Sequence, residues 1–148
     1  MGLLDSTAEE PHSKALRYVV TAVVFIALLA SLAWWLLRFR TEKRTVALFL
    51  SALATGQTEE AYRIWKPAPG YSYKDFLDDW GPSSEYGPVH SFRIESAGQL
   101  KASSGVIVAA EVSPFQPFPP DDDAVKQSKT KEVKIWVEQS DQSLSFPP

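Results

Sequence analysis

The chain contains no cysteine. Disulfides, thiolate nucleophiles and cysteine-ligated metals are thereby excluded, while the redox compartment is left open. Histidine is nearly as scarce, with His12 and His90 as the whole complement. No metal-ligand spacing, Ser-His-Asp arrangement or glycine-rich phosphate loop can be assembled, and no cofactor is expected. Positive charge is thin where nucleic acid would need it. From Thr45 onward there are nine Lys/Arg against fourteen Asp/Glu, a net of −5, whereas Lys14 to Arg44 holds six basic residues and one acid. Phosphate binding needs a clustered positive surface, so nucleic acid is not an expected partner of the C-terminal part.

What the chain has instead is one long uncharged run. Tyr18 to Leu37 reads YVVTAVVFIALLASLAWWLL, twenty residues between Arg17 and Arg38. At about 1.5 Å per residue, such a helix spans roughly 30 Å, the hydrocarbon thickness of a bilayer. A helix satisfies its own backbone in lipid, and Thr21 and Ser31 can bond back to a carbonyl one turn earlier. Trp34 and Trp35 stand at one end, where indoles favour the headgroup level. A core helix of a soluble protein usually shows a polar face, and this run shows none. The expectation is a disordered tail over 1–17, a transmembrane helix over 18–37 and a soluble domain over 38–148, with the lipid bilayer as first partner. Lys14 and Arg17 before the span, against Arg38, Arg40, Lys43 and Arg44 after it, favour a cytoplasmic domain. An uncleaved signal anchor would place the domain outside, so both orientations stand. A cleaved signal peptide is a third reading, since Ser31-Leu32-Ala33 offers small residues at the cleavage spacing. Against it, the apolar run is longer than such segments and continues through Trp34-Trp35-Leu36-Leu37.

Past the span, Val46, Phe49, Leu50 and Leu53 fall at i, i+3, i+4 and i+7, which predicts a helix over Thr41–Ala54 with Gly56 just beyond its end. No Gly or Pro lies between Arg38 and Ala54, so the membrane helix is expected to run straight into this one. Thr58 is the expected cap of a second helix, with Glu59 and Glu60 in its first turn. Ser72 and Asp75 suggest a capping box for a third, whose Tyr73, Phe76, Leu77 and Trp80 form one apolar stripe. The pattern then changes to period two, with strands expected over Val89–Ser96, Val106–Ser113, Thr130–Glu138 and Leu144–Phe146. Four prolines make Pro114–Asp123 a loop. Helices first and antiparallel strands after give an α+β domain.

Val46-Ala47-Leu48-Phe49-Leu50-Ser51-Ala52-Leu53 followed by Gly56, and then Glu60-Ala61-Tyr62-Arg63-Ile64-Trp65, carry a resemblance. The pattern resembles the first two helices of the nuclear-transport-factor-like superfamily, the cone-shaped fold also used by ketosteroid isomerase. It covers roughly residues 41–146 and rests on packing positions. It implies about three helices packed on a curved antiparallel sheet of three to four strands, with a pocket between the helices and the concave face. Tyr62, Trp65, Phe76, Trp80, Phe92 and Trp136 would line that pocket. The chain is also similar to membrane-anchored bacterial domains of unknown function, which implies an envelope location without an activity. Because the proline loop is longer than a tight hairpin, irregular pairing is expected in the middle of the sheet.

Each candidate has a plainer reading beside it. Aromatics at helical spacing more often fill a core than line a binding site. Asp75, Asp78 and Asp79 could act as acid and base or hold a divalent cation, but they lie opposite Phe76, Leu77 and Trp80, on the solvated side. Asp121-Asp122-Asp123 reads as a solvent-exposed loop run. His90 precedes Phe92 by two and could share its inward face. Tyr86, bracketed by Gly81-Pro82 and Gly87-Pro88, reads either as an aromatic rim for a partner or as part of a plain connection. Taken together, the sequence favours a non-catalytic single-pass membrane protein whose domain binds a membrane or envelope protein, or a small apolar ligand, close to the bilayer. One alternative is an acid–base enzyme using His90 and Asp75 in the cone. Another is an accessory subunit of a membrane complex, packed through Ala22, Ala27, Ala30 and Ala33 of the span.

Overall fold

The computed structural model describes residues 12–148, in two units, 12–38 and 39–148. The first eleven positions of the expected tail lie outside the described residues. From His12 onward the chain is already helical: α1 spans His12–Leu37, 26 residues, or about 39 Å at 1.5 Å each. It starts six residues before the uncharged run because nothing between Ser13 and Arg17 breaks a helix. The two hydroxyls within it behave as expected. Thr21 Oγ1 donates to the carbonyl of Arg17 and Ser31 Oγ to that of Ala27, both at 2.8 Å. Every side chain from Ser13 to Leu37 is exposed.

The second unit opens with α2, Arg40–Ala54. The expected continuous helix is interrupted here: Arg38 and Phe39 form a turn, and Phe39 (φ −114°, ψ 26°) leaves the helical region. The predicted stripe Val46, Phe49, Leu50 and Leu53 is buried. At the far end Gly56 adopts φ +75°. Its N–H reaches the carbonyl of Leu53, and that of Gln57 the carbonyl of Ala52, which closes a Schellman motif. The next helix, α3, is Thr58–Trp65. Gln57, not Thr58, occupies its cap position, and no side chain caps it; the Thr58 hydroxyl pairs instead with Tyr73 Oη at 2.8 Å. The capping box of α4, Tyr73–Trp80, forms as predicted between Ser72 and Asp75.

Four strands follow as an antiparallel meander in the order β1-β2-β3-β4. They are β1 (Ser91–Gln99), β2 (Gly105–Ser113), β3 (Lys131–Glu138) and β4 (Leu144–Ser145), so the domain is α+β as its pattern implied. The proline segment between β2 and β3 is not all loop. It ends in α5, Asp123–Lys129, opened by Asp122 Oδ1 accepting from the Ala124 N–H at 3.0 Å. The proline count masked this start signal. Nor does the proline loop disturb the sheet. Pairing of β2 with β3 is unbroken from Gly105↔Glu138 to Val112↔Lys131, and the irregularity falls in β1, between Ile94 and Ser96. The long connection absorbs its own geometry and leaves the register to the flanking strands.

Alternation then sorts the strands into two faces. Phe92, Ile94 and Ala97 of β1, Val106, Val108, Ala110 and Val112 of β2, and Val133, Ile135 and Val137 of β3 pack into the core beside α2. Arg93, Ile107, Glu111 and Trp136 take the opposite face. There the Trp136 ring lies over Gly105 so closely that a Cβ at that position would sit 2.2 Å from it.

Candidate functional site

The aromatic residues expected to line a pocket mostly fill one another's space. Phe49, from α2, is at the centre: its ring lies 5.1 Å from Trp65, 5.0 Å from Trp80 and 6.1 Å from Phe76. Tyr62 closes one side at 5.3 Å from Phe76. Tyr86, tilted, and Phe146, stacked, lie against Trp80 at 5.1 and 5.8 Å. Tilted and edge-on pairs of this kind are the preferred aromatic geometries. Tyr86 is thus half-buried packing and not a projecting rim. Phe92 faces the same core from β1, whereas Trp136 lies on the other side of the sheet and shares no space with the rest. The six candidates are therefore not brought together around a cavity. Phe49 occupies the centre.

An open groove remains beside this cluster, with a volume of about 470 Å³. Its walls come from the end of α2, from α4 and from the segment leading into β1, with Leu53, Tyr73, Leu77, Trp80, Val89 and His90 prominent among them. The lining is mainly apolar. At its edge lies the Thr58–Tyr73 hydroxyl pair. Trp80 presents a further feature: its indole N–H is buried and has no acceptor. An unsatisfied buried donor costs about 1–3 kcal/mol. Tyr73 and Leu77 were visible in the helical stripe, but nothing in the stripe told core positions from groove positions.

The polar candidates disperse. Asp75 accepts from both the N–H and the hydroxyl of Ser72, at 2.9 and 2.7 Å. Those bonds hold its carboxyl below the usual range, so it is committed to its helix cap and takes no part in the groove wall. His90 does line the groove, but its side chain is exposed. Its backbone N–H donates to Ser113 at 2.8 Å. Asp79 accepts from Tyr71 Oη at 2.6 Å; burial first, and then this bond to a carboxylate, push the Tyr71 hydroxyl well above its ordinary value. Asp78 is exposed. Asp121 is solvent-exposed, as expected, and also pairs with Arg93 at 2.7 Å and Lys126 at 3.0 Å. Among the described residues no group of three acidic or imidazole side chains is placed to hold a metal ion.

No family model matches this sequence, and no curated protein or solved structure is significantly similar to it.

Proposed function

We propose that this is a single-pass membrane protein whose second unit is a binding domain without catalytic chemistry of its own. The observation that carries the reading is α1. Its run from Tyr18 to Leu37 is uncharged on every side, is exposed throughout, and bonds its two internal hydroxyls back to its own backbone. In water that surface has no cover, while in lipid it needs none. Binding is favoured over acid–base catalysis because the groove walls are mainly apolar. The two least unsuitable catalytic groups, His90 and Asp75, do not converge there. A ligand suited to those walls is small and largely apolar. The nuclear-transport-factor-like assignment belongs to the same proposal, supported by the helix–helix–helix–sheet order.

The test is alkaline extraction of membranes carrying the full chain. Retention in the membrane pellet at full length is expected. Release into the soluble fraction would sink the reading, and a product beginning after Ala33 would show a cleaved signal instead. A reporter fused after Pro148 and active only outside the cytoplasm then assigns the side. Binding in the groove is checked with an environment-sensitive apolar dye, whose uptake should fall in Leu77→Lys.

A further inference from the structure

Three cations without an ion pair among the described residues are clustered within the first five residues of α2. Arg63 meets Glu60 at 3.1 Å, Arg93 meets Glu111 at 2.9 Å, Lys126 meets Asp121 at 3.0 Å and Lys134 meets Glu132 at 3.7 Å. Lys66 and Lys131 reach backbone carbonyls, those of Asp141 and Glu85. Among the described residues, Arg40, Lys43 and Arg44 have neither an ion pair nor a side-chain hydrogen bond. That is notable just ahead of a segment that carries five more acids than bases from Thr45 onward.

Their placement is ordered. At about 100° per residue the three fall within an arc of roughly 100°. Arg40 and Arg44 lie opposite the stripe of Val46, Phe49, Leu50 and Leu53 that enters the core, and Lys43 lies at its edge beside Leu50. Arg40 and Arg44 are exposed and Lys43 is half-buried. The single acid among them, Glu42, is turned to the buried side, where it accepts from Gln139 Nε2 at 3.0 Å and cannot neutralise the basic face.

We propose that this face binds the anionic headgroups of phospholipids around the end of α1. The inference rests on the membrane reading above and adds a partner to it. Chain length alone keeps Arg40 within about 11 Å of Leu37, and Arg44, a helical turn further, within about 17 Å. A headgroup layer is about 5–8 Å deep, and attraction extends roughly a further 8–10 Å at physiological salt. The three cations therefore fall where an anionic surface is felt. Trp34 and Trp35, both exposed, mark the same end of the span, and indoles settle at that depth. A lipid surface, unlike a free phosphate, is what covalent attachment to an apolar helix brings to these cations at all times.

The full chain is reconstituted into phosphatidylcholine vesicles with and without phosphatidylglycerol. Brominated forms of each lipid report, by tryptophan quenching, which one surrounds the end of the span. A preference for brominated phosphatidylglycerol is expected, on the order of 5-fold for each cation that reaches the headgroups, and falling as salt rises. It should vanish in Arg40→Gln/Lys43→Gln/Arg44→Gln and persist in Lys74→Gln/Lys101→Gln. Equal quenching by the two lipids, or an undiminished preference in the triple variant, overturns the proposal. Relief of the preference by inorganic phosphate beyond that of chloride at equal ionic strength would do the same, making the face a soluble-anion site. Failure of the chain to enter pure phosphatidylcholine vesicles would instead defeat the membrane reading, so the two failures are distinguishable.

Discussion

The inner and outer faces of the sheet are made by the same strands, yet different forces hold what lies against them. On the inner face, Val106, Val108, Ala110, Val133, Ile135 and Val137 are buried against an aromatic cluster centred on Phe49. Few polar side chains are buried there, so few need partners. On the outer face, Arg93 bonds Glu95, Glu111 and Asp121 at 2.6–2.9 Å and lies over the Phe118 ring at 4.9 Å. Lys126 of α5 ties two of these acids, Glu111 and Asp121, so the proline segment is fastened to the sheet by charge. Asp121 is 70% exposed, and exposed pairs contribute little because water competes and salt screens. Burial sets the stability of this domain; the ion network sets where one segment lies.

That contrast can be broken first at Phe49. Phe49→Ala should cost about 3–5 kcal/mol, because neighbouring rings cannot collapse into the space. Denaturant melts of the full chain in detergent micelles would show it, and a loss below about 1 kcal/mol would mean the cluster is loosely packed. Gly105→Val tests the outer face at its one crowded point. The added atoms meet the Trp136 ring, and overpacking of this kind costs about 1–3 kcal/mol. Trp136→Ala in the same chain should recover part of the loss, and no recovery would contradict the close approach of ring and backbone.

A finer comparison uses one chemical change on both faces. Ile135→Val, inside, should cost about 0.5–1.5 kcal/mol. Ile107→Val, outside and half-buried, should stay under about 0.5 kcal/mol. Equal costs would show that the outer face is covered. The smallest effect is electrostatic. Hydrogen bonds from Arg93, and next from Lys126, hold the Asp121 carboxyl below its ordinary value. A carboxyl depressed in the folded state adds stability above its unfolded value, near pH 4, and loses it as pH falls through the folded one. Thermal melts of the wild type should therefore drop more steeply below about pH 4 than those of Asp121→Asn. High salt should shrink the difference at neutral pH.

Much of the fold was legible because its signals are local. The stripe of α2, the Schellman glycine, the Ser72–Asp75 box and the alternation of β3 each depend on residues within a turn or two of one another. Thr58 misled because its hydroxyl found Tyr73, fifteen residues away, before any cap. The run to α5 misled because proline counts hid Asp122. The candidate site was far less legible. Tyr62, Trp65, Phe76 and Trp80 all read as apolar helix positions, and periodicity cannot say which rings meet and which leave a groove.

The sequence by itself determined that one helix is too apolar to be covered by its own polar face, that the basic residues follow it directly, and that helices precede an antiparallel sheet. These are properties of composition and order along the chain. Only the tertiary structure decided that Phe49 fills the space where a pocket was expected, that Trp136 stands on the opposite face, and that the Trp80 N–H is left without an acceptor beside an open groove. Those outcomes depend on which side chains from distant segments compete for the same volume, and packing at that density is not written in any single stretch.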